Sequence, residues 1–85
     1  MSFTGIDPST EEPIAIKAWV KERVVYVALR DERVVSFPDH KFTRLKAASD
    51  DNLGKVHIRA QGTALRWEEI DEDIAVNGIV QGIFE

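Results

Sequence analysis

Three short apolar runs lie between residues 14 and 37, and this pattern constrains the fold more than any other feature of the chain. Alternation along the first run places four aliphatic side chains on one face of a predicted strand: Ile14, Ile16, Ala18 and Val20. The second run, residues 23–29, is apolar on both faces, which is typical of the central strand of a sheet. The third run, residues 34–37, follows a charged turn. Consecutive strands joined by tight turns predict an antiparallel three-stranded meander.

Helical spacing replaces strand alternation at Pro38, a residue that cannot donate to a sheet but suits the first turn of a helix. Phe42, Leu45 and Ala48 then recur three residues apart, which predicts one amphipathic helix. The basic residues between them would face the solvent.

Alternation returns in two runs, residues 55–60 and 63–67, on either side of a Gln61-Gly62 pair. Glycine adopts positive φ readily, so the pair predicts a two-residue turn and the two runs predict a β-hairpin. Leu65 and Trp67 alternate on the second of these strands and are predicted to point into the core.

The chain ends in short apolar pieces that follow a group of acidic residues. Residues 74–76 predict a brief strand or extended segment, which the Asn77-Gly78 pair breaks, and residues 79–84 predict a brief helical or extended C-terminal cap. The sequence as a whole predicts an α+β fold with a three-stranded meander, one amphipathic helix, a β-hairpin and a short C-terminal cap.

Length and composition restrict the chain to one small domain of 85 residues. Residues 1–13 predict a flexible N-terminal arm, and residues 14–85 a single α+β domain. The absence of cysteine excludes disulfides, a thiolate nucleophile and cysteine-ligated zinc. No apolar run approaches the roughly 20 residues that span a bilayer, and the first residues lack the pattern of a signal peptide. We therefore expect a cytoplasmic protein with no membrane partner.

Charge is distributed unevenly along the chain. Residues 1–13 carry a net charge of −3, residues 14–66 a net charge of +5 and residues 67–85 a net charge of −6, which sum to the overall −4. A mildly basic body beside an acidic terminal segment is compatible with association into a homodimer, with separate surfaces for two partners, or with charge that is simply solvated.

Four segments resemble a small bacterial family, the domain of unknown function 2442. They are residues 36–38 (SFP), 42–45 (FTRL), 62–67 (GTALRW) and 71–80 (DEDIAVNGIV), of which the last is the most specific, and the resemblance covers about residues 14–82. The chain differs from the family's pattern at three positions. It has Thr43 where proline is usual, Arg66 where histidine is usual and Glu68 where proline is usual.

This resemblance implies a compact α+β fold and little chemistry. Members of the family occur alone, fused to a helix-turn-helix DNA-binding domain, or encoded beside a second small protein in pairs interpreted as toxin–antitoxin modules. The resemblance therefore implies a non-catalytic protein-interaction module, an antitoxin-like partner of a small cognate protein. Because Arg66 replaces the usual histidine, a role tied to that histidine does not carry over to this chain.

The acidic stretch between residues 68 and 73 is a candidate partner-binding surface. Its outward carboxylates would dock on a basic surface of another small protein, and the side chains assigned to this role are Glu68, Glu69 and Glu72. Asp71 and Asp73 are instead predicted to lock the turn by accepting backbone N–H groups. The stretch lacks the spaced ligands and the glycine of a calcium loop, so no metal site is predicted.

Trp19 is a further candidate for partner binding, because it lies opposite the predicted aliphatic face of the first strand. An exposed tryptophan between Lys17 and Lys21 would serve as an interface anchor, since tryptophan is enriched at binding hot spots. The alternative is burial of the ring beneath the helix or the N-terminal arm.

A nucleic-acid-linked regulator is the alternative function. Basic residues of the predicted helix and hairpin would make the contacts: Lys41, Arg44, Lys46, Arg59 and Arg66. A two-residue hairpin turn would place Arg59 and Arg66 on the same side, and Trp19 or Tyr26 would be available for stacking. The net charge of −4 and the acidic terminal segment repel phosphate, so nucleic-acid binding by this chain alone is the weaker hypothesis.

Catalytic patterns are absent from the sequence. His40 and His57 are too few, and too far from any Ser–acid pattern, to form a catalytic set. The glycines are isolated and form no phosphate-binding loop. We therefore expect no enzyme activity and no cofactor.

Overall fold

Two three-stranded antiparallel sheets enclose one core in the computed structural model, which describes residues 12–84. The α+β fold class is confirmed, whereas the predicted arm at residues 1–13 lies outside the described residues except for its last two. In chain order the elements are β1 (Ala15–Lys21), β2 (Val24–Leu29), β3 (Val34–Pro38), a 3₁₀ turn (Asp39–Lys41), α1 (Thr43–Ala47), α2 (Asp50–Leu53), β4 (His57–Arg59), a 3₁₀ turn (Ala60–Gly62), β5 (Ala64–Trp67), a 3₁₀ turn (Glu68–Ile70), β6 (Glu72–Ala75) and α3 (Val76–Val80).

The first sheet is the predicted meander, in the order β1-β2-β3. Its central strand is β2, as the apolar sequence of that strand predicted. Glu22 and Arg23 connect β1 to β2 and both have positive φ, which matches the right-handed twist of the two strands. The core-facing side of β2 is fully buried and carries Val25, Val27 and Leu29.

A β-bulge changes the predicted facing at the start of β1. The register with β2 shifts between Ala15 and Lys17, so that Ile16 is the extra residue. Ala15 is buried, whereas Ile16 is 62% exposed. The prediction that Ile16 lies on the core face was wrong, because the bulge reverses the alternation there. Beyond the bulge the aliphatic face packs against the core as predicted, through Ala18 and Val20.

The predicted helix after Pro38 is divided into short pieces. Phe42 has extended backbone, with φ −131° and ψ 127°, and separates the first 3₁₀ turn from α1. A second break precedes α2, where the Ser49 hydroxyl accepts the Asn52 N–H at 3.0 Å as an N-cap. The core residues are nevertheless those that the helical spacing indicated, since Phe42 and Leu45 are both buried.

Arg23 fastens these short helices to the first sheet. Its Nε donates to Asp39 Oδ2 and its Nη1 to Asp50 Oδ1, both at 2.6 Å. Its Nη2 donates to the carbonyl oxygen of Ala48 at 2.9 Å. One guanidinium therefore binds the 3₁₀ turn, the end of α1 and the start of α2 at once.

The second sheet has the order β4-β5-β6 and contains the predicted hairpin. Arg59 pairs with Ala64, so four residues connect β4 to β5. Gln61 and Gly62 are the two central residues of the turn, as predicted, with φ 57° and 93°, and the Thr63 N–H closes the turn on the Ala60 carbonyl oxygen at 3.2 Å. The strands are shorter than predicted, because Ala60, with φ 53°, and Thr63 lie outside them. Strand β5 nonetheless points Leu65 and Trp67 into the core as predicted, and both side chains are fully buried.

The C-terminal cap is helical, one of the two predicted alternatives, and begins at Val76, earlier than predicted. The strand ends at Ala75, before the Asn77-Gly78 pair, and the pair itself lies inside α3 instead of separating the strand from the cap. The strand predicted just before them is present as β6 and buries Ile74. Helix α3 closes the core with Val76 and Ile79, both buried.

Candidate functional site

The acidic stretch after β5 surrounds a single guanidinium. Arg66 Nε lies 3.1 Å from Glu68 Oε1, Nη1 lies 2.6 Å from Asp73 Oδ2 and Nη2 lies 2.9 Å from Asp71 Oδ1. The register of the second sheet produces this arrangement, because Arg66 is paired directly with Asp73 on β6. Each polar edge of the guanidinium thus binds a different carboxylate.

Two further arginines extend this group. Arg59 Nη2 donates to Glu68 Oε2 at 2.7 Å, and Arg44 Nη1 donates to the Asp71 carbonyl oxygen at 2.6 Å and lies 3.9 Å from its carboxylate. We call the six residues the charge network: Arg44, Arg59, Arg66, Glu68, Asp71 and Asp73. Three positive and three negative side chains give the network a formal charge of zero.

The pKa values follow from these contacts. Hydrogen bonds from Arg59 and then Arg66 lower the pKa of Glu68, and the hydrogen bond from Arg66 lowers the pKa of Asp71. The hydrogen bonds to Asp71 and Glu68 in turn raise the pKa of the Arg66 guanidinium. Both carboxylates are therefore held in their charged form by the folded state.

The charge network unites residues that the sequence assigned to opposite functions. It contains Glu68, a predicted partner-binding residue, and three of the five predicted nucleic-acid residues: Arg44, Arg59 and Arg66. Arg59 and Arg66 do lie on the same side of the sheet, as predicted, since both contact Glu68. Because these arginines and carboxylates pair with one another, fewer of them are available to bind a partner or a nucleic acid than the sequence suggests.

The remaining predicted site residues lie outside the network. Within residues 12–84, Glu69, Glu72 and Lys46 have no side-chain ion pair, and the Lys41 ammonium lies 5.7 Å from the centre of the Phe84 ring. The turn at Asp71 has left-handed backbone, with φ 52°. The carboxylates of Asp71 and Asp73 receive the guanidinium of Arg66 rather than the backbone N–H groups that were predicted.

We expect the network to make stability depend on pH. Replacing Arg66 with glutamine leaves three neighbouring carboxylates without their shared cation, so the melting temperature should fall at neutral pH. The lowered pKa values mean that the wild-type network stabilises the fold above the ordinary carboxylate pKa of about 4 and loses this contribution as pH falls through the folded-state values. The difference in melting temperature between Arg66→Gln and wild type should therefore shrink between pH 6 and about pH 3.

Lys46→Gln provides the control for this series, because it removes one positive charge that has no ion pair within residues 12–84. Thermal unfolding monitored by circular dichroism at each pH gives the measurement. A difference for Arg66→Gln that stays constant across the pH range would contradict the role assigned to the network.

A different surface is formed by the outer face of the first sheet, the side opposite the core. Cross-strand pairing arranges it in three rows, which run Lys17-Ala28-Val34, Trp19-Tyr26-Ser36 and Lys21-Val24-Pro38 from β1 to β3. The core-facing residues alternate with these positions along each strand. The outer face is thus mainly apolar and aromatic, with its two charged residues both on β1.

An aromatic pair occupies the middle of this outer face. The rings of Trp19 and Tyr26 are stacked, with centroids 5.5 Å apart and planes 8° from parallel. The Lys17 ammonium lies 5.3 Å from the centre of the Trp19 ring, within the range of a cation–π contact. Trp19 is half-buried, on the outer side of β1, with Tyr26 and Lys17 beside its ring. The predicted alternative of burial beneath the N-terminal arm involves residues 1–11, which lie outside the described residues.

Aliphatic side chains around the aromatic pair are strongly exposed. Val34 is 56% exposed in the row next to the pair, and Ile16 is 62% exposed at the bulge. Sequence reasoning did not assign Tyr26, Val34 or Ile16 to a partner-binding surface. Val34 was readable from the alternation in β3, whereas Ile16 required knowledge of the bulge.

Neither a metal site nor a membrane span is found in the part of the chain that the structure describes. No His, Asp and Glu side chains among residues 12–84 are grouped in a way that could hold a metal ion. No helix in that range is long and apolar enough to cross a bilayer.

Comparisons with known proteins place the chain among uncharacterised ones. It is similar to a protein of unknown function from Rhodospirillum rubrum, known from a crystal structure, with 38% sequence identity and a TM-score of 0.81 over 87% of this chain and 92% of that one. It also shares its fold with an uncharacterised protein from Chromobacterium violaceum, known from a solution structure, with 18% identity and a TM-score of 0.77 over 92% of this chain and 73% of that one. No curated protein matches the chain.

The sequence model of a family described as "protein of unknown function (DUF2442)" matches residues 15–85. This range covers every strand and helix of the described residues. This match agrees with the segments that carried the resemblance in the sequence. The chain belongs to the DUF2442 family.

Proposed function

We propose that this protein is a non-catalytic protein-interaction module, an antitoxin-like partner of a small cognate protein, and that it binds through the outer face of the first sheet. The observation that carries the proposal is the exposure of Val34, in the row next to the stacked Trp19 and Tyr26 rings, together with the exposure of Ile16 at the bulge of β1. Contiguous apolar surface is expensive to leave in water, and clusters of it commonly mark binding sites.

The composition of the outer face supports this proposal. Aromatic side chains supply large contact areas with few rotatable bonds, so they lose little entropy when a partner immobilises them. Trp19 and Tyr26 are already ordered by their mutual stacking and by the register of β1 with β2. Binding would therefore need little rearrangement of the sheet.

The acidic stretch supports an interaction less strongly than the outer face does. Docking through Glu68 would require the carboxylate to exchange its bonds to Arg59 and Arg66 for bonds to a partner. Glu69 and Glu72 have no ion pair within the described residues and stay available as a secondary contact. They belong to the second sheet and the turn before its last strand, so they form a separate candidate contact and not part of the outer face.

Exchanging one exposed valine for aspartate should test the proposal. Val34→Asp places a charge on the outer face in the row next to the aromatic pair, and we expect co-purification with the product of the adjacent gene to be lost. Ile83→Asp is the matched control, because Ile83 is 64% exposed but follows α3 and is not one of the residues in the three rows of the outer face. Co-expression of both proteins followed by size-exclusion chromatography gives the measurement.

Equal retention of the partner by Val34→Asp and Ile83→Asp would contradict binding through the outer face. Loss of the partner only when Glu69 and Glu72 are replaced with lysine would move the site to the acidic stretch. A complex that contains two copies of this chain and nothing else would make the outer face a homodimer interface. Circular dichroism of each variant separates loss of binding from loss of folding.

The nucleic-acid alternative gains no specific support. Three of its five residues, Arg44, Arg59 and Arg66, contact carboxylates or the backbone of the acidic stretch. A nucleic acid would have to displace these intramolecular carboxylates before its phosphates could bind, and the net charge of −4 opposes its approach.

A further inference from the structure

We infer that the outer face of the first sheet takes an extended segment of the partner in which an apolar side chain is flanked by carboxylates. This inference rests on the proposed function and specifies the chemistry of the partner. It is carried by the charges of the outer face, by the arrangement of its aromatic pair and by the exposure of its aliphatic residues.

The charges of the outer face are of one sign. Lys17 and Lys21 are the two charged residues in its three rows, and neither β1, β2 nor β3 places an acid there. Lys21 is exposed and has no ion pair among residues 12–84, so its ammonium is available to a carboxylate of a partner. Complementary charges across an interface select the partner and accelerate association.

Lys17 and Lys21 lie on either side of Trp19 along β1. Their positions two residues before and two residues after the tryptophan place all three side chains on the same side of the strand. A strand advances about 3.3 Å per residue, so the two ammonium groups branch from points about 13 Å apart with the aromatic pair between them. An apolar side chain packed beside the Trp19–Tyr26 pair, with an acid before it and an acid after it, matches this spacing.

The aromatic pair favours a peptide over a nucleic acid. A base stacks on a ring face that is open, whereas the Trp19 ring is already in contact with both Tyr26 and the Lys17 ammonium. The neighbouring exposed residues, Val34 and Ile16, are aliphatic and offer van der Waals contact without stacking. Apolar side chains of a peptide can pack against these aliphatic residues. Its carboxylates would pair with the ammonium groups of the two lysines.

Selection from a random library of displayed 12-residue peptides against the full chain tests the inference. We expect enriched sequences to carry Asp or Glu on both sides of an aromatic or aliphatic residue. Synthetic copies should then bind wild type and Lys46→Glu alike. Lys21→Glu should weaken the same peptides by roughly three- to tenfold, because it turns an attraction into a repulsion at the rim of the site.

Lys46 is the matched control because it is also an exposed lysine without an ion pair among the described residues. It lies on α1, whose Leu45 is buried in the core, and not in any of the three rows of the outer face. Both substitutions change the net charge by the same amount, so a difference between them reports the position of the charge and not the overall field of the protein.

Several outcomes would overturn the inference. These are the absence of enrichment over the Val34→Asp variant, enrichment of basic or uncharged peptides, or equal binding by Lys21→Glu and Lys46→Glu. Displacement of the selected peptides by a 12-nucleotide oligouridine would show a nucleic-acid site instead. Co-purification with the partner that is lost in Val34→Asp but unchanged in Lys21→Glu would retain the interaction function and overturn only the acidic chemistry of the partner.

Discussion

Replacing Trp67 with alanine is expected to lower the free energy of unfolding by about 3–5 kcal/mol. The indole side chain is fully buried on β5 and is among the largest in the core. Its removal leaves a cavity that the short surrounding elements cannot readily fill. A domain of 85 residues has a total stability of roughly 4–13 kcal/mol, so this loss is a large fraction of it.

A hydrogen bond adds to the effect of the lost volume. The indole Nε1 donates to the carbonyl oxygen of Leu53 at 2.8 Å, in a buried setting. Leu53 is the last residue of α2, where a carbonyl has no partner within the helix. Trp67 therefore both fills the core and binds the end of α2 to the second sheet.

Two further substitutions separate these contributions. Trp67→Phe keeps most of the apolar volume and removes the donor, so we expect it to cost about 1–3 kcal/mol. Trp19→Ala removes the same side chain from the outer face of the first sheet and should cost less than Trp67→Ala, because the half-buried ring leaves no enclosed cavity. Equilibrium unfolding in urea, followed by circular dichroism, gives all three values. Equal losses for Trp67→Ala and Trp19→Ala would contradict the core position of Trp67.

The core was predictable from the sequence because its pattern is local. Alternation of Leu65 and Trp67 along a short run identifies the buried side of β5 without any knowledge of the partner strands. The apolar character of β2 likewise indicates its central position. These predictions depend only on the periodicity of the strand, which the fold preserved.

The facing of Ile16 was not predictable by the same argument. Ala15 and Ile16 are both apolar, so the sequence permits either of them on the core side, and the bulge that decides between them depends on the register with β2. The helix after Pro38 shows a related limit. Phe42 and Leu45 reach the core from separate short turns, and the spacing of apolar residues does not reveal the extended backbone between them.

The charge network was hidden for another reason. Arg44 and Asp71 are 27 residues apart, so their contact depends on how α1 packs against the turn after β5. Local sequence reasoning treated the acids and the bases as two separate surfaces. Because these acids and bases pair with one another, the acidic stretch is a weaker candidate for partner binding than the sequence suggested. The outer face of the first sheet, with its exposed apolar side chains, is the stronger candidate.

Gly62→Ala is expected to destabilise the fold by about 2–4 kcal/mol, from strain at positive φ together with overpacking. Gly62 has φ +93° and is buried where the turn between β4 and β5 meets the start of β1. An added Cβ would lie 2.5 Å from Ile14 Cγ2 and 2.8 Å from the Ala15 carbonyl oxygen. The isoleucine side chain can move, but the carbonyl oxygen can move only with the backbone of β1.

Gly82 provides a matched control for this substitution, because it also has positive φ, at +74°, but an added Cβ there would meet no atom within 4 Å. Gly82→Ala therefore keeps the conformational cost, about 1–2 kcal/mol, and removes the steric one. Urea unfolding of both variants gives the difference between them. If the two losses were equal, the close approach of the β4–β5 turn to β1 would contribute nothing. If Gly62→Ala is worse, this approach fixes how the second sheet sits against the first, and glycine is required where the two sheets meet.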